Sequence, residues 1–187
     1  MNEYSLSAKQ AVETYIKENK TMEVPDDLSQ ELLNQKAGVF VTIENKGDLR
    51  GCIGTYLPTQ KNIAQEIIHN AIAAATEDYR FSPIQEKELP QLSYTVYVLE
   101  KPESVENIDD LDPKKYGIII KSGEISAGTD VIFNPSPSVR IKSGLLLPGL
   151  EGVKTVEQQI SITCQKAGID LKKEKITIYR FKAQKYE

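Results

Sequence analysis

Residues 39 to 53 read as a β-hairpin. Val39 to Glu44 is a run rich in β-branched residues, Asn45-Lys46-Gly47-Asp48 is a turn, and Leu49 to Ile53 is the return strand. A long helix is expected directly after it, from about Asn62 to Thr76, with Ile63, Ile67, Ile68, Ala71, Ile72 and Ala75 on one side. Its Ala73-Ala74-Ala75 run would let another backbone approach closely. Asp78-Tyr79-Arg80-Phe81-Ser82-Pro83 then breaks the helical pattern, because a residue before proline is disfavoured in the α region.

The rest of the chain alternates irregularly. Helices are expected over Tyr4 to Lys17, in a short segment opened by Pro25-Asp26-Asp27 that stops at Gly38, and from Thr155 to Gly168. Thr155 and Gln158 form a capping box for the last of these. Strands are expected at Ser93 to Leu99, Gly117 to Lys121, Gly144 to Leu147 and Lys175 to Phe181. No regular βαβ series emerges, so the expected class is α+β, with mixed or antiparallel sheets and packed helices.

Charge and composition exclude several functions. A formal charge of −4 and a pI near 5.3 leave no broad basic face for a phosphate backbone, so nucleic-acid binding is not expected. No stretch approaches the ~18 apolar residues needed to cross a bilayer. Only two cysteines, Cys52 and Cys164, and no visible export signal point to a reducing, cytoplasmic compartment. His69 is the sole histidine, which rules out zinc sites built from several histidines within one chain. No loop has calcium-type spacing, so no metal site is expected.

The candidate site is Leu49-Arg50-Gly51-Cys52-Ile53-Gly54-Thr55. Side chains alternate along a strand, so Arg50 and Cys52 should share a face, with Cα atoms about 7 Å apart. A guanidinium there favours a thiolate and can hold an anionic group. Gly51 and Gly54 would let a ligand or a second backbone segment come close, and Thr55 adds a hydroxyl. In a catalytic reading Cys52 is a nucleophile or redox thiol, Arg50 orients an anion, and Glu77 or Asp78 supplies acid or base. In a binding reading the motif and the loop from Asp78 to Pro83, including Arg80 and Phe81, shape a groove for a partner protein or small ligand. The structural alternative makes Cys52 a small core residue and the glycines a bulge or tight-packing signal. Cys164, on the apolar stripe of the last helix with Val156 and Ile160, is expected in the core. His69 shares its helix face with Asn62, Gln65, Glu66 and Ala73, and is expected to face solvent, away from Cys52. The glycines match neither a phosphate-binding loop nor a dinucleotide fingerprint, and no cofactor follows from them.

Leu49-Arg50-Gly51-Cys52-Ile53-Gly54 resembles the signature hexapeptide of the AMMECR family, called AmmeMemoRadiSam system protein A in bacteria and archaea. Gly38 to Thr42, Asp78 with Arg80-Phe81-Ser82-Pro83, Glu88-Leu89, Tyr94 to Leu99, Tyr116 to Ile120, Gly144-Leu145-Leu146-Leu147-Pro148, and Glu157-Gln158 through Cys164 to Ile169 extend the likeness over nearly the whole chain. The resemblance implies a single domain over 1–187, made of two unequal lobes with the hexapeptide near the cleft between them. It adds Leu147 and Pro148 to the candidate binding residues. It also implies two partners, a Memo-like protein and a radical-SAM protein, and no established reaction. Family members have a short turn between Lys121 and Gly144, so residues 124–142 read as an insertion, either a partner-contact or lid element or a tolerated surface loop.

Overall fold

A computed structural model describes residues 2–122 and 141–187. The elements run α1 (Glu3–Glu18), α2 (Gln30–Asn34), β1 (Gly38–Asn45), β2 (Asp48–Gly54), α3 (Ile63–Thr76), β3 (Leu92–Leu99), β4 (Glu103–Ser104), β5 (Gly117–Ser122), β6 (Lys142–Leu146), α4 (Val156–Ala167), β7 (Ile176–Phe181) and β8 (Ala183–Tyr186). The fold is α+β, with two four-stranded sheets ordered β2-β1-β3-β8 and β4-β7-β5-β6. The chain divides into two compact units, residues 1–101 with 184–187, and residues 102–183.

In the first unit β1 pairs antiparallel with both β2 and β3. Val39, Val41 and Ile43 recur at every second position of β1 and are fully buried, with Ala8, Ala11 and Val12 of α1 and Ile67, Ala71 and Ala74 of α3 in the same core. Each such valine or isoleucine contributes on the order of 1.5–3 kcal/mol by leaving water. Asn2 caps α1 by accepting hydrogen bonds from the Tyr4 and Ser5 amides. Tyr4 then stacks on Tyr186 of β8, ring centroids 3.7 Å apart, which fastens the C-terminal strand to the first helix.

In the second unit β5 pairs antiparallel with β6 and β7. Ile118 and Ile120 of β5 share a core with Ile160 and Cys164 of α4, so Cys164 is the core residue its position on the helix suggested. The capping box forms: Thr155 accepts from the Gln158 amide and Gln158 reaches back to the Thr155 amide. Glu174 accepts from Ser122 and from Lys142, joining the end of β5 to the start of β6. The Asp170 amide, with the Lys142 ammonium and the Ser122 hydroxyl, holds the Glu174 carboxyl down at about 2.

Several expectations need correction. The second helix is only five residues long and opens at Gln30, because Ser29, not the Pro25 segment, supplies the cap to the Leu32 amide. The acidic stretch before β3 forms a 3-10 turn, Glu86–Gln91, and the short strands β4 and β8 were not foreseen. The insertion expected at 124–142 lies outside the described residues except for Ile141 and Lys142, and Lys142 already belongs to β6.

Candidate functional site

β2 is an edge strand, so its outward backbone groups need partners other than another strand. At Cys52 those partners are side chains. The Cys52 amide donates to Asp78 Oδ2 at 2.9 Å, and Arg80 Nη2 donates to the Cys52 carbonyl at 3.4 Å. Asp78 and Arg80 are themselves paired through Arg80 Nε–Oδ1 at 2.9 Å and Nη2–Oδ2 at 2.6 Å. The ion pair therefore supplies one acceptor and one donor to the strand edge, as a neighbouring strand would. Asp78 is 5% exposed, and the Arg80 guanidinium with the Cys52 amide holds its carboxyl down at about 2. It is ionised at neutral pH and committed to the strand.

Gly51 explains how the strand reaches this position. A Cβ there would lie 2.1 Å from the Ala74 carbonyl oxygen of α3, so only glycine lets β2 sit against the helix backbone. The approach that the Ala73–Ala75 run permits is thus made by Gly51. Gly54 lies opposite Phe40, with no space for a side chain between them. The Cys52 thiol is half-buried and accepts a hydrogen bond from Thr42 Oγ1 at 3.3 Å, its cross-strand neighbour.

Arg50 sits where the β1–β2 ladder is irregular. The pairing steps from Ile43–Gly51 to Glu44–Leu49, so Arg50 is the extra residue of a β-bulge. Its guanidinium makes a two-point pair with Glu88, Nε–Oε2 at 2.8 Å and Nη2–Oε1 at 3.1 Å. That guanidinium holds the Glu88 carboxyl below its ordinary range. The cation held against the Cys52 backbone is Arg80. Both guanidinium groups approach the half-buried Phe81 ring, Arg50 at 5.9 Å and Arg80 at 5.4 Å from its centroid. Tyr79, between Asp78 and Arg80 in the chain, is 95% exposed, and Pro83 is exposed.

Thr55 serves the interior. Its hydroxyl donates to Glu66 Oε1 at 2.6 Å. Glu66 is fully buried and also accepts from the Thr59 hydroxyl and from the Thr59 and Gln60 amides, all within 2.8 Å. The assignment of Glu66 and Ala73 to a solvent face was wrong, although His69 is exposed as expected. The missed signal is that α3 is apolar on most sides, so a polar residue between Ile63, Ile67 and Asn70 is buried with the helix. Glu88 and Thr42 were also missed as site partners, since nothing local in sequence ties either to the motif. Leu147 is buried and Pro148 half-buried, both in the second unit. Among the described residues no group of three or more histidine, cysteine, aspartate or glutamate residues could hold a metal.

The AMMECR1 family model matches residues 6–186. The chain belongs to the AMMECR1 family. A Thermotoga maritima protein is 43% identical over 96% of this chain and 94% of its own length. A Clostridium acetobutylicum protein is 40% identical over 98% of this chain, which spans only 36% of that longer protein. The crystal structure of an uncharacterized Pyrococcus horikoshii protein matches with a TM-score of 0.80 at 30% identity, covering 97% of this AMMECR1-family chain and 88% of that one.

Proposed function

We propose that this AMMECR1-family chain is a binding module in which β2 and the loop from Asp78 to Pro83 present a surface to a partner protein. The observation that carries the reading is the Asp78–Arg80 pair: it closes the Cys52 strand edge and leaves Tyr79 projecting almost entirely into solvent. The ionisable groups nearest the motif are engaged internally, Asp78 with Arg80 and Arg50 with Glu88. That favours a rigid presenting surface over a site that moves protons. Exposed tyrosine beside arginine is the composition of interface hot spots. A relative in which the same domain makes up about a third of a longer chain fits a component that works beside other modules. The Memo-like and radical-SAM proteins implied by the family resemblance are the partners to test. Co-purification of tagged wild-type chain with either protein, reduced or oxidised, is the expected result; no association in any redox state would sink the reading.

A second reading has one observation of its own. The Cys52 thiol takes a hydrogen bond from Thr42 and lies within electrostatic reach of the Arg80 guanidinium, an arrangement suited to a reactive thiol. Alkylation followed over pH by mass spectrometry separates the readings. Burial pushes the Cys164 thiol up, so Cys164 serves as the slow internal reference. Labelling of Cys52 at neutral pH at a rate far above Cys164, and above a free thiol, would move Cys52 to the catalytic reading.

A further inference from the structure

After α1 ends at Glu18, the chain runs without regular structure alongside α3, with Thr21 to Val24 lining the same groove as α3 residues. Ile68, His69 and Ile72 stand on one stripe of that helix, at spacings of one, three and four residues. Met22 and Val24 form the facing wall, and together they enclose a groove of about 490 Å³. That volume lies in the range of small-molecule sites. None of the residues from Arg50 to Thr55 lines it, so it is separate from the motif surface.

The groove is lined by apolar and acidic side chains together. Met22, Val24 and Ile72 are half-buried, so their aliphatic surface is only partly covered by the core. Glu23 and Glu77 are among the lining residues, and no lysine or arginine is. Among the described residues neither carboxylate is in a salt bridge, and neither side chain accepts a hydrogen bond. Two uncompensated carboxylates beside exposed hydrocarbon complement a ligand with a cationic head and an apolar body.

We propose that this groove binds an organic amine, with its ammonium drawn to the Glu23 or Glu77 carboxylate and its aliphatic body over Met22, Val24, Ile68 and Ile72. The site is independent of the motif surface, and failure of either proposal leaves the other standing. His69 lines the groove and is the only histidine, so its imidazole C–H resonances report occupancy without ambiguity. The test is an NMR titration of the intact chain with hexylammonium chloride, with hexanoate and hexan-1-ol as matched probes. The expected result is a saturable shift of the His69 signals with hexylammonium in the millimolar range. The double variant Glu23→Gln, Glu77→Gln, altered only at exposed positions, should weaken it about tenfold. Absence of saturation overturns the site. Equal binding of hexanoate or hexan-1-ol, or an unchanged affinity in the double variant, overturns the assignment of an amine.

Discussion

Asp78 accepts hydrogen bonds from the Cys52 amide and the Arg80 guanidinium at once, and the second of these depends on its charge. Asp78→Asn keeps the shape and removes the charge, leaving Arg80 without its counterion. Its carboxyl lies at about 2 in the folded chain against an ordinary 3.8, so the ionised form is bound preferentially by the native state. For a depressed carboxylate the linked stability is fully present above the ordinary value and is lost as pH falls through the folded one. At pH 7 the variant should be less stable by on the order of 2 kcal/mol, and the gap should close between about pH 5 and pH 2. Urea midpoints of both proteins over that range check it; a gap that persists at pH 2 would contradict the linkage. Gly51→Ala belongs to the same scale. Its Cβ would meet the Ala74 carbonyl at 2.1 Å, so β2 or α3 must shift, at a cost of about 1–3 kcal/mol. A melting temperature equal to wild type would refute the close approach. Gly51 was legible in sequence because a glycine inside a strand signals backbone contact. Asp78 as partner of the Cys52 amide was not, since the two lie 26 residues apart and neither residue type announces the other.

The elements were legible to different degrees for one physical reason: periodicity reports which face is buried, and turn chemistry reports where an element stops. The β1–β2 hairpin, α1, α3 and α4 all carry such signals, and α4 closes at Gly168, which has the left-handed φ of +64° expected of a terminating glycine. β8 carries no clear pattern because Tyr186 is held through its stack on Tyr4, a contact across the chain's two ends. The bulge at Arg50 was invisible because one residue out of register changes partners without changing composition. The segment from Thr55 to Gln60 is held chiefly by one side chain of α3, that of Glu66, with a longer contact from Asn70 to the Thr55 hydroxyl. The Thr59 and Gln60 amides both donate to Glu66 Oε2, and Glu66→Met fills a similar volume without any acceptor oxygen, so both bonds are lost. Hydrogen exchange of those two amides should speed up at least tenfold, while exchange in β5 of the second unit stays unchanged. Unaltered protection at Thr59 and Gln60 would show that the segment is held by something else.

The whole molecule presents an acidic surface, two separate cores and a motif whose charged side chains are paired within the first unit. Among the described residues no helix is long and apolar enough to cross a membrane. Family membership follows from a match over nearly the full chain, and it was readable in the hexapeptide and the stretches around it. What the hexapeptide does is a separate matter, because folds host sites and sites carry function. The central claim is that the motif region acts by binding through its exposed loop, with Cys52 as a structural member of the strand. Isothermal titration of the proposed Memo-like and radical-SAM partners with wild type, Tyr79→Ala and Cys52→Ser tests it most directly. The account expects Cys52→Ser to bind as wild type does and Tyr79→Ala to bind at least tenfold more weakly, as loss of a hot-spot aromatic does. Full affinity in Tyr79→Ala together with lost affinity in Cys52→Ser would contradict it.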